Sequence, residues 1–120
     1  MSEFSQALAG IESRVPELQL AMLLGADGIP IEKWSRGEVT RLETLAAEFT
    51  TLLRPSVSAG PDTGLGDLTE LLVVTGDLIA VLMGITPGYF LFGAFGPATE
   101  VGRARCALRI AAISLRREFD

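Results

Sequence analysis

The chain contains no histidine and a single cysteine, Cys106. Without histidine there is no Ser-His or Cys-His nucleophile pair and no His-bearing zinc site, and one cysteine permits no disulfide within the chain. Cys106 has no histidine or adjacent base to activate it, so it is expected as a small packing residue. Cationic excess is missing too: ten basic against fifteen acidic residues give a net charge of -5, dispersed rather than blocked. Such a surface repels phosphate backbones and anionic lipid, which argues against nucleic acid and membrane surfaces as partners. The N-terminus has no charged-then-apolar leader, so a cytoplasmic location is expected. Acid, base and nucleophile converge on no turn that can be placed, so no catalytic residue, metal ligand or cofactor site is expected.

At 120 residues and 48% apolar composition, the chain fits one domain, residues 1–120, with one core. Its organising stretch is three apolar runs, Leu71 to Val74, Leu78 to Ile85 and Tyr89 to Phe95, separated only by Thr75-Gly76-Asp77 and Thr86-Pro87-Gly88. Links this short and containing Gly close hairpins and cannot make a parallel crossover, so the runs read as an antiparallel meander. They do not alternate polar with apolar, so both sheet faces should be covered. The uncharged stretch from Leu78 to Phe95 also has the length of a membrane span. Pro87-Gly88 at its centre would break a helix, and each half has a strand's length, so no membrane insertion is expected.

Before the meander, Phe4, Ala7, Leu8, Ile11 and Val15 share a helical stripe that Pro16 ends. Leu18 to Leu24, then Asp27-Gly28, then Ile29 to Trp34 read as a hairpin whose second strand, carrying Pro30, Glu32 and Lys33, belongs at an edge. A long helix is expected from Glu38 to about Ser58, with Val39, Leu42, Leu45, Ala46, Phe49, Leu52, Leu53 and Val57 facing the sheet over an arc of ~140°. Arg54-Pro55 and Ser58-Ala59-Gly60-Pro61 should fray it into a connector through Gly64-Leu65-Gly66, where no Lys-Ser/Thr follows to make a phosphate cradle. Pro97, after Gly96, is expected to start the last helix, whose core stripe is Val101, Ala104, Leu108, Ala111, Ala112, Leu115 and Phe119. Cys106, Ile110 and Ile113 lie off that stripe and call for a second neighbour, expected to be the first helix.

The expected fold is therefore α+β, in the order α-β-β-α-β-β-β-α. One five-stranded antiparallel sheet carries the long helix on one face and the N- and C-terminal helices on the other. Its second edge is the strand beginning Asp67-Leu68-Thr69-Glu70, whose run Leu71, Leu72, Val73 and Val74 is apolar and without proline, an edge that invites another chain unless the segment before Asp67 shields it. The back of the long helix is small and uncharged at Thr40, Thr44, Ala47 and Thr51, flanked by Arg41, Glu43, Glu48 and Arg54. That face either admits another backbone closely or is an indifferent solvent face. Pairing two edge strands about a twofold axis would make a ten-stranded sheet and bring two long helices alongside each other.

The ordered set Leu24-Gly25-Ala26-Asp27-Gly28-Ile29-Pro30-Ile31, Ala47-Glu48-Phe49, Gly64-Leu65-Gly66, Tyr89-Phe90-Leu91 and Gly102-Arg103-Ala104-Arg105 resembles the Roadblock family, over nearly the whole length. That family is named for the roadblock light chain of dynein and includes the bacterial MglB-type regulators. The resemblance implies a cytoplasmic homodimer whose paired middle helices form a platform for a Ras-like small GTPase. In MglB-type members the dimer stimulates GTP hydrolysis by rearranging the GTPase's own catalytic parts, with no inserted arginine finger. By location, the platform would be Thr40, Glu43, Thr44, Ala47, Glu48, Thr51 and Arg54, the last near an expected fraying helix end where solvation competes with a finger role. The alternative function is a passive scaffold or assembly subunit of a larger complex, as for the dynein light chain.

Overall fold

The computed structural model describes residues 2–64 and 69–119, with the side chains of 52–63 outside that description. The order is α1 (Glu3–Arg14), β1 (Leu18–Gly25), β2 (Pro30–Ser35), α2 (Thr40–Thr63), β3 (Glu70–Val74), β4 (Ile79–Thr86), β5 (Tyr89–Phe95) and α3 (Val101–Glu118). All five strands form one antiparallel sheet in the order β2-β1-β5-β4-β3, so the Pro30 strand and β3 are its two edges. The stretch long enough for a membrane span is instead the β4–β5 hairpin. No helix among the described residues is long and apolar enough to cross a membrane.

Local chemistry sets the boundaries. Ser2 caps α1 by accepting a hydrogen bond from the Ser5 N–H at 3.0 Å, satisfying one of the helix's free donors. The β1–β2 turn places Gly28 at φ 84°, and Asp27 Oδ1 accepts from the Ile29 N–H at 3.0 Å. Gly88, at φ 96°, turns β4 into β5. Alternate residues of the central strands feed two cores. Leu18, Ala21, Leu23, Val81, Leu91 and Phe95 pack with α1 and α3, while Leu20, Met22, Leu24, Ala80, Leu82 and Phe92 pack with Val39, Ala46 and Phe49 of α2. Both faces of β1, β4 and β5 are thus covered.

Gly93 fixes how closely α3 approaches the sheet. A Cβ there would lie 2.7 Å from Leu108 Cδ1 and 3.0 Å from Phe95 Cε2, both side chains fully buried. Gly93→Ala is expected to lower stability by about 1–3 kcal/mol through overpacking, read from the urea midpoint at unchanged m-value.

The structure corrects the sequence reading at three places. Helix α2 begins at Thr40 rather than Glu38 and runs to Thr63, straight through Pro55 and Pro61. A proline inside a helix removes one i→i−4 bond and crowds the carbonyl of the preceding turn, a local cost that kinks a helix without always ending it. Glu38 stands just outside, its carboxylate accepting from the Thr40 N–H at 2.7 Å and from the Thr40 hydroxyl. These bonds hold the Glu38 carboxyl below the usual carboxylate range. Helix α3 starts at Val101, not Pro97, because the Thr99 N–H donates to the Gly96 carbonyl at 3.1 Å and makes Pro97 the second residue of a tight turn. Finally, Cys106, Ile110 and Ile113 are exposed rather than covered by α1. Helix α1 lies beside α3, not above it: Phe4 stacks on Phe119 with centroids 5.6 Å apart, and Arg103 Nη2 donates to the Arg14 carbonyl at 3.1 Å.

Candidate functional site: a free strand edge and a helix back

Strand β3 hydrogen-bonds only to β4 among the described residues. The Gly84 N–H donates to the Thr69 carbonyl and the Thr75 N–H to the Leu78 carbonyl, which fixes the parity of the ladder. In an antiparallel pair, hydrogen-bonded and non-hydrogen-bonded positions alternate. With Leu71 opposite Leu82 and Val73 opposite Ala80, those two residues turn their backbone groups toward β4. Glu70, Leu72 and Val74 therefore aim their N–H and C=O groups outward from the sheet. Their side chains share a face with Met83, Val81 and Ile79, the α1–α3 side, where Leu72 is 41% and Val74 59% exposed. Leu71 and Val73 pack against the α2-side core, and Thr69 is exposed. The segment that could shield the edge, residues 65–68, lies outside the described residues.

The back of α2 is as small as its sequence suggests. Thr40, Thr44, Ala47, Glu48 and Thr51 are exposed, opposite the buried Ala46 and Phe49. Thr44 Oγ1 donates to the Thr40 carbonyl and Thr51 Oγ1 to the Ala47 carbonyl, each at 3.1 Å. Turned back on their own helix, these hydroxyls leave methyl groups to face outward. Glu43 differs: its carboxylate is paired with Lys33 Nζ at 2.8 Å, fastening α2 to the edge strand β2. The Arg54 side chain lies outside the described residues. The helix continues nine residues past it, so Arg54 is not at a fraying end.

One cluster beside the edge escaped the sequence reading. Arg105 grips Glu70 through both carboxylate oxygens, Nε to Oε1 at 2.7 Å and Nη2 to Oε2 at 2.9 Å, and Arg109 approaches Oε2 at 3.8 Å. The i,i+4 spacing of Arg105 and Arg109, which puts two cations on one flank of α3, was the available signal. The bidentate guanidinium holds the Glu70 carboxyl below its ordinary range. A carboxyl held low when folded stabilises the fold at neutral pH, and that contribution disappears as acid protonates it. Glu70→Gln should therefore cost about 1 kcal/mol at neutral pH, after discounting for half-exposed Arg105, and nothing at strongly acid pH. Paired denaturation curves across pH check this: the wild-type and variant midpoints converge in acid.

Among the described residues, no group of three or more Asp, Glu or Cys side chains is assembled to hold a metal ion. The fold as a whole superposes on solved structures along almost its full length. A Roadblock/LC7 domain from Streptomyces avermitilis matches with a TM-score of 0.83 at 21% identity, covering 98% of each chain. MglB of Myxococcus xanthus matches with a TM-score of 0.86 at 12% identity, covering 98% of this chain and 87% of that one. MglC of Myxococcus xanthus matches with a TM-score of 0.73 at 24% identity, covering 98% and 99%. At such identities the likeness is one of fold, which many functions share. No curated protein matches in sequence. The family model of the Roadblock/LC7 domain, however, matches residues 12–92, well over half of the chain, and by that match the chain belongs to the Roadblock/LC7 domain family.

Proposed function

We propose that the chain is a homodimeric regulatory module, formed by pairing of two β3 edges, whose two α2 backs together bind a Ras-like small GTPase and stimulate its GTP hydrolysis. The observation carrying this reading is the apolar outward-facing edge at Leu72 and Val74, in a family member whose α2 back is lined by methyl groups. In the dimer, ten strands form one sheet and the two α2 helices run side by side. Thr40, Thr44, Ala47, Glu48 and Thr51 then meet the partner, with Arg54 by its location on the helix. The chain supplies no reacting group. Stimulation comes from positioning the GTPase's own water-orienting and phosphate-binding parts, where phosphoryl-transfer barriers are set.

The test is phosphate release from a small GTPase encoded beside this chain, measured with and without the purified protein. The expected result is turnover raised about tenfold or more, a barrier lowered by at least ~1.4 kcal/mol, with binding that depends on the bound nucleotide. Binding that ignores the nucleotide and leaves turnover unchanged would replace this reading with the passive assembly subunit.

A further inference from the structure

On the outer side of α3 the sequence's request for a neighbour goes unanswered. Cys106, Ile110, Ile113 and Arg117 recur at spacings of four, three and four residues, an arc of about 60° at 100° per residue. The arc is diametrically opposite the buried Ala104, Leu108, Ala111 and Leu115. Ile110 is 39% and Ile113 46% exposed, and Cys106 is exposed between them and the helix start. Single exposed apolar side chains are ordinary, whereas apolar side chains aligned on one helix face form a strip that a partner could cover.

The charged side chains that flank the stripe on α3 itself are arginines. Arg109 flanks it on one side and Arg103 on the other, and Arg117 closes its C-terminal end. Helix α3 holds five of the chain's ten basic residues, Arg103, Arg105, Arg109, Arg116 and Arg117, in a protein of net charge -5. Arg105 is committed to Glu70 and Arg116 to the Ile85 carbonyl. Arg109 is only loosely drawn to Glu70 at 3.8 Å, and Arg103, which gives one Nη to the Arg14 carbonyl at 3.1 Å, reaches Glu17 with the other only at 3.9 Å. Arg117 makes no ion pair among the described residues.

We infer that the outer face of α3 is a second docking surface, and that its occupant is an acidic amphipathic helix of another protein. That helix would lay apolar side chains spaced i, i+4, i+7 along Ile110 and Ile113, with carboxylates meeting Arg103, Arg109 and Arg117. Charge complementarity selects this occupant. A second copy docked on the same face about a twofold would set arginines against arginines. A lipid surface would have to be held by an apolar strip only about 10 Å long, on a chain that is acidic overall. The surface lies across the sheet from α2, so both faces can be occupied together.

The probe is a short fluorescein-labelled helical peptide with leucines at i, i+4 and i+7 and flanking glutamates, compared with its lysine-flanked counterpart by fluorescence anisotropy. Saturable binding of the glutamate peptide alone is expected, weakened about tenfold or more by Ile113→Glu or Arg109→Glu and unaffected by Thr44→Arg. The bound glutamate peptide should also slow alkylation of Cys106. Ile113 is exposed, so Ile113→Glu should melt as the parent does, and the melt is recorded alongside. No binding of the glutamate peptide, equal binding of both peptides, or indifference to Ile113→Glu would overturn the inference. So would Ile113-dependent sedimentation with phosphatidylserine vesicles, which would make a membrane the occupant. A change in the chain's own mass on Ile113→Glu would make a second copy the occupant and overturn it equally.

Discussion

Leu72→Pro is expected to turn the proposed dimer into a folded monomer. The backbone N–H of Leu72 points away from β4, so proline there removes a donor that the chain's own ladder does not use. Proline is tolerated in sheets at such edge positions. Across a twofold axis the same lesion occurs on both strands, so the intermolecular ladder loses its bonds in symmetric pairs. Leu71→Pro is the counterpart that calibrates the result. Its N–H is bonded to β4 and its side chain packs against the α2-side core, so it should lower the stability of the chain itself by about 1–3 kcal/mol or more. Light scattering should find Leu72→Pro at the mass of one chain, 12.8 kDa, with a far-UV spectrum like the parent's. If the parent has the mass of two chains, a folded Leu72→Pro variant that kept it would exclude β3 as the contact.

The second large effect is expected on α2. Ala47→Glu and Thr44→Arg place long charged side chains on a surface of methyl groups, where a docked partner would have to desolvate them. A loss of about 2 kcal/mol or more, roughly thirtyfold in Kd, is expected for GTPase binding. Both positions are exposed, so thermal melts should stay within a degree or two of the parent, on the order of 0.5 kcal/mol. Titration by calorimetry or anisotropy reads the affinity. Undiminished binding by both variants would remove α2 as the platform.

Much of this architecture was legible in the chain. Short Gly-containing links between Val74 and Tyr89 left one strand order for the meander, and Pro30 assigned the opposite edge. The α2 stripe identified the sheet-facing residues as far as Phe49, and the threonines identified its back. Buried Thr50 was missed, because a hydroxyl that donates to the Ala46 carbonyl at 2.9 Å hides its polarity within the helix itself. Proline signals were overread. Pro55 and Pro61 lie within α2 and Pro97 lies in a turn, because a proline's effect depends on whether the neighbouring bonds survive its one missing donor. The spacing of Arg105 and Arg109 marked a basic flank of α3, but not Glu70 as its partner, which lies 35 residues away and meets Arg105 only through the packing of α3 on the sheet. The same packing, seen from outside, leaves Ile110 and Ile113 exposed where a covering neighbour was expected.

Residue-resolved amide hydrogen exchange on the native protein addresses the edge most directly. If two β3 strands pair, the Leu72 and Val74 amides, which point outward in the single chain, will be protected as strongly as those of Leu71 and Val73. If those two amides exchange at the rate of an open loop while their neighbours stay protected, the edge is bare in solution and the platform built on it does not form.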